Sequence, residues 1–123
     1  MLLVQTFVAP SAIEGLGVFT EQKIVQRTLL WVLDRRIDLT WSKELFQALP
    51  DIVRSNLRRY ASWDEIGQFW LYCTDDARFF NHSVKPNCFD DNLRTIAMRD
   101  IEPGEELTCL YTDWAIKHLI KGV

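Results

Sequence analysis

Three short segments of this 123-residue chain carry side chains that could do chemistry: Glu14-Gly-Leu-Gly-Val-Phe19, Arg78-Phe-Phe-Asn-His-Ser-Val-Lys-Pro-Asn87 and Gly104-Glu-Glu-Leu-Thr-Cys-Leu-Tyr111. Gly15 and Gly17 flank a single residue, a spacing that lets backbone approach a ligand closely or adopt positive φ. It is not a dinucleotide fingerprint, because no third glycine follows and no long helix starts there; taken alone it is a hairpin turn. Asn81, His82 and Ser83 invite a nucleophile-and-base reading, but neighbours in an extended chain face opposite ways, which argues against a hydrolase. Taken alone they are a structural pair holding a turn, as Pro86-Asn87 fits. Tyr111 offers a phenol that can donate or accept beside an apolar wall, and buried tyrosines of that kind are commonly inert.

Metal chemistry is not expected. Cys73, Cys88 and Cys109 are odd in number and contain no CxxC pair, and with only His82 and His118 to help they do not make a closed four-ligand zinc site. They are expected as buried, small apolar residues in a reducing, intracellular compartment. Met1–Pro10 has no basic leader with an apolar core, and no apolar run reaches membrane-spanning length, so no membrane association is expected.

The elements that must position these segments follow from periodicity. Runs of β character cover 2–8, 18–20 and 28–33, then 69–74, 93–98 and 107–111. Between them, residues 40–61 change period: Trp41, Leu45 and Leu49, then Val53, Leu57 and Tyr60, recur at three- and four-residue steps. This predicts a helical insert of two amphipathic helices, with Thr40 as N-cap and Pro50 as the break. Glu102-Pro-Gly-Glu105 is a turn with Pro and Gly in its central positions. The result is a mostly β fold of many short strands with one helical insert.

At 48% hydrophobic, 12% aromatic and 25% charged residues the chain can bury a core, and its length suits one domain with no room for a second catalytic module. The net charge is −3, unevenly spread: 35–60 hold six basic and three acidic residues, whereas 61–113 hold eleven acids and four bases. The acidic half should attract a basic protein or peptide and not a nucleic acid backbone.

In order, GLGVFT, YCTDDARFFNHSVKPNC and IAMRDIEPGEELTCLYTDW resemble the SET-domain family of protein lysine methyltransferases, over about residues 12–114. The resemblance implies a β-clip architecture of small curved sheets around a pseudoknot, in which the NHSxxPN segment threads past the segment carrying the tyrosine. It implies S-adenosylmethionine as cofactor. Glu14, the backbone of Leu16 and Gly17, and Asn81 and His82 would hold it, with the His82 backbone at the adenine edge. Arg78 would sit near the cofactor carboxylate or brace its loop. Tyr111 matches the catalytic tyrosine, and Tyr72 a tyrosine lining the lysine channel.

Against the family pattern, Val84 stands where a zinc-binding cysteine often follows NHS, and no CxC run follows Tyr111. Zinc-binding flanks are therefore not expected. Trp114, with Ile116, Leu119 and Ile120, is the candidate to close the cofactor side; a docked C-terminal helix is the alternative for this tail, 114–123. Cys109 occupies a position where Phe or Tyr often limits the methyl count, so a roomier channel is expected. The implied function is methyl transfer to a lysine of a basic protein, with histone tails and ribosomal proteins both suited by charge. The alternative is a catalytically silent SET-like module binding a basic tail or partner. The insert's positive charge suits a partner subunit better than a basic substrate, and so short a chain could complete its groove as a homodimer.

Overall fold

The computed structural model describes residues 1–110. Strands β1 (Thr6–Pro10) and β2 (Leu16–Thr20) form an antiparallel hairpin in which Thr6 lies opposite Thr20 and Pro10 opposite Leu16. Phe7 and Phe19 stack across it with ring centroids 5.4 Å apart. The turn is closed by the Ser11 N–H donating to the Gly15 carbonyl at 2.8 Å, with Gly15 at φ +47°. Gly15 is thus the turn glycine, while Gly17 lies inside the strand.

Two further sheets complete the described architecture. The larger has five strands, in the order β3 (Leu29–Val32), β9 (Arg94–Ala97), β8 (Cys88–Asp90), β10 (Thr108–Cys109) and β7 (Asn81–His82). The smaller has β4 (Asp38–Trp41), β6 (Phe69–Cys73) and β5 (Ser62–Asp64), with β6 central. The main core is a cluster of Val18, Ile24, Leu30, Cys88, Ala97, Ile101, Leu107 and Cys109. Beside the small sheet, Phe46 is fully buried and stacks on Trp70 at 4.4 Å, with Trp41 edge-on to it at 5.9 Å.

The insert differs from expectation. Thr40 belongs to β4 and caps nothing; Ser42 caps α1 (Lys43–Gln47) by accepting from the Leu45 N–H at 3.2 Å. After Pro50 comes α2 (Asp51–Leu57), which buries no side chain. The three- and four-residue apolar steps did mark helices, but Trp41 serves a strand and α2 lies on the surface. The opening β run also starts later than expected, at Thr6, with Leu2 making only an isolated bridge to Trp31. Turn 102–105 forms as expected: the Glu105 N–H reaches the Glu102 carbonyl at 3.1 Å and Gly104 sits at φ +87°, the positive value a type II turn needs at that position. Among the described residues no helix is long and apolar enough to cross a membrane.

Candidate functional site

The threading that brings the three motifs together is set by two-residue strand β10. It pairs in parallel with β7 on one side, Thr108 beside Asn81 and Cys109 beside His82, and with β8 on the other through Cys88. Strands β7 and β8 are consecutive in sequence, so loop 83–87 must pass across β10, giving the knotted crossing. The Ser83 N–H donates to the Cys109 carbonyl at 3.0 Å. Asn87, only 3% exposed, completes the clasp: its Nδ2 donates to the Glu106 carbonyl at 2.7 Å and its Oδ1 accepts from the Thr108 N–H at 2.9 Å.

Glu106 joins all three motifs, a role that sequence reasoning missed. Its carboxylate accepts from Ser11 Oγ at 2.8 Å and from Asn81 Nδ2 at 2.9 Å. The same Asn81 nitrogen donates to the Glu14 and Leu16 carbonyls, both at 3.1 Å. Gly17 is where the carboxylate needs space, since a Cβ there would lie 2.5 Å from Glu106 Oε2. The GEEL motif held the signal, but the pairing with Ser11 spans 95 residues and leaves no local trace.

In front of this junction lies a cleft of about 390 Å³ that brings together Glu14, Leu16, Arg78 and Asn81 of the expected residues. Gly15, Arg59, Tyr60, Phe79 and Phe80 also line it. Arg59 and Tyr60 come from the insert, whose helical periodicity gave no reason to connect them to the motifs. The Arg78 guanidinium lies 4.7 Å from the Phe79 ring centroid and 5.8 Å from that of Tyr60, and donates to the Thr74 carbonyl at 3.3 Å. Tyr60 meets Phe79 edge-on at 5.3 Å.

Other expected residues lie elsewhere. Gly17 is buried behind the cleft, and His82 is half-buried in β7, beside Cys109. Tyr72 is half-buried on β6 opposite Leu39. Cys109 is 6% exposed in the main core, where its hydrogen bond with Cys88, and then burial, push its thiol well above the ordinary range. Burial, with the carboxylates of Asp38 and Asp75, pushes the Cys73 thiol up to about 12. The three cysteines are unpaired, and no group of three metal-ligating side chains occurs among the described residues. Tyr111 and Trp114 lie outside the described residues.

A sequence profile described as the SET domain matches residues 15–112. The chain belongs to the SET-domain family. The fold agrees with that of other SET proteins. A candidate histone methyltransferase of Plasmodium falciparum superposes with a TM-score of 0.64 at 19% identity, over 91% of this chain and 96% of that one. A chain from a humanized mutant of the Chaetomium thermophilum Polycomb Repressive Complex 2, bound to an inhibitor, gives 0.65 at 20% identity, over 89% of this SET chain but only 15% of its own length. The parallel pairing of β10 between β7 and β8 is this SET domain's knotted crossing, and its cleft sits where the hairpin, β7 and Glu106 meet.

Proposed function

We propose that this SET domain transfers the methyl group of S-adenosylmethionine to a lysine amine of a basic protein. The observation that carries the reading is the convergence of Glu14, Leu16, Arg78 and Asn81 on one cleft braced from behind by Glu106.

The residues present suit such a cofactor. Nothing lies within 4 Å of where a Gly15 Cβ would be, so backbone there is open to a ligand. Arg78 offers a cation for a carboxylate, Glu14 an anion for an ammonium, and the Phe79 and Phe80 side of the cleft a surface for a flat base. When bound, the sulfonium supplies an electrophilic methyl group. Among this chain's own groups, we assign the His82 backbone to the adenine edge and Trp114 to closing the cofactor side.

Tyr111 follows β10 by two residues and is assigned to holding the lysine amine with its hydroxyl in line with the methyl group. Such alignment can lower a barrier by roughly 7–11 kcal/mol. A free lysine titrates near about 10.4, and a narrow channel that strips water from it favours the neutral, nucleophilic amine. Tyr72 and Cys109 are assigned to that channel, the small Cys109 leaving room for more than one methyl. Mass spectrometry showing a single addition at completion would remove that role from Cys109. The net negative 61–113 half supports a basic substrate such as a histone tail or a ribosomal protein.

The test is Tyr111→Phe. The variant should bind S-adenosylhomocysteine like the wild type and lose on the order of a hundredfold in turnover on a panel of basic proteins, within the range for a lost catalytic donor or acceptor. Unimpaired turnover would remove Tyr111 from its role. Wild-type protein binding no S-adenosylhomocysteine would turn the reading to a silent module.

A further inference from the structure

One wall of the cleft belongs to the insert. The chain leaves α2 at Leu57 and passes Arg59 and Tyr60 before it enters β5, and both residues line the cleft with Arg78. Two guanidiniums are therefore gathered in one concavity of a chain whose net charge is −3. Among the described residues neither Arg59 nor Arg78 has an acidic partner: Arg78 is engaged by the Thr74 carbonyl and by two aromatic rings, and Arg59 is exposed. Glu14 is the one acidic side chain lining the cleft, so two guanidiniums face a single carboxylate, and a further anion bound there evens the balance. Arginine forks suit a planar, bidentate anion, and the carboxylate of the proposed cofactor is one. The rings of Tyr60 and Phe79 limit where the Arg78 guanidinium can go, so it is presented to a ligand already oriented.

We infer that Arg59 is a specificity-determining residue of the cleft, selecting a methyl donor that bears a free carboxylate, and that Tyr60 is the positioning residue that aims Arg78 at the same group. The inference rests on the cleft being the cofactor site. It makes the insert part of cofactor recognition.

The test compares two ligands by calorimetry at low salt. S-adenosylhomocysteine carries the amino-acid arm, and 5′-methylthioadenosine keeps the nucleoside and sulfur without it. Wild-type protein should prefer the first. Arg59→Gln should weaken S-adenosylhomocysteine about tenfold, the loss of a charge-assisted contact, and leave 5′-methylthioadenosine within about twofold. The difference between the two proteins should shrink in about 1 M salt, where the screening length falls to about 3 Å. Tyr60→Ala should lose the same preference, and Tyr60→Phe should keep it, because the ring and not the hydroxyl meets Arg78. Arg59 is exposed, so its variant should melt like the wild type.

Equal losses for both ligands, or no loss for either, would overturn the inference and leave the proposed function standing. So would wild-type protein that binds both ligands equally. Wild-type protein that binds neither would overturn the proposed function and this inference with it.

Discussion

Gly15 and Gly17 stand two residues apart and need glycine for different reasons. Gly15 has open space around it but sits at φ +47°, so Gly15→Ala should cost about 1–2 kcal/mol in urea unfolding and Gly15→Asn less. Gly17→Ala puts a methyl 2.5 Å from Glu106 Oε2 and 3.2 Å from Ser11 Cβ. The carboxylate is the far end of a flexible chain and would move, but it then gives up Ser11 and Asn81. Gly17→Ala should therefore cost about 1–3 kcal/mol and also weaken ligand binding in the cleft, whereas Gly15→Asn should bind nearly normally. Calorimetry on both variants separates the two roles; equal binding losses would deny Glu106 its place as the brace. The glycine spacing, Asn81 and Arg78 were legible as residue types. Glu106 was not, because hydrogen bonds to residues far away in sequence give it meaning.

At the scale of elements, the legible parts were those with strong local chemistry, such as turn 102–105, and the illegible ones were very short. Strands β7 and β10 have two residues each and exist because neighbours pair with them, so no alternation could announce them. The same weakness explains Thr40: a strand ended by a capping serine two residues later looks, in sequence, like an earlier helix start. Since β10 has so little strand of its own, Asn87 should carry much of its placement. Asn87→Ala strands the buried Thr108 N–H and the Glu106 carbonyl, and should cost about 2–4 kcal/mol in thermal or urea unfolding. A loss under about 0.5 kcal/mol would mean that the strand pairings alone hold the crossing.

The turn feeding β10 adds a pH dependence. Arg99 bonds Glu105 Oε1 at 3.0 Å and the Glu102 N–H bonds Oε2 at 2.6 Å, which together hold the Glu105 carboxyl below its ordinary range. A depressed carboxylate contributes stability that is present above its unfolded value and lost as pH falls through the folded one. Glu105→Gln should thus cost most near neutrality, at most about 1 kcal/mol for so exposed a pair, and nearly nothing in strong acid.

Across the whole molecule, stability is concentrated away from α2, since the insert's other helix, α1, anchors itself through the fully buried Phe46. The core cluster draws on the hairpin, the five-stranded sheet and the segments around Ile24, Ile101 and Leu107, whereas α2 has no fully buried side chain and leaves Ile52 68% exposed. A seven-residue helix is too short to persist through its own propensity, so α2 should depend on the anchoring at its ends. The sequence pattern could not reveal this, because apolar steps of three and four look the same whether or not a surface lies opposite them. Two measurements check it. Leu30→Ala, at a fully buried position, should cost about 2–5 kcal/mol, while Ile52→Ser should stay within about 0.5 kcal/mol. Native-state amide exchange should be slowest in β3, β8 and β9 and fastest in α2, which opens without disturbing the core. If α2 instead exchanged only with global unfolding, it would be as integral to the fold as the sheets, and the exposed Ile52 would need a different explanation.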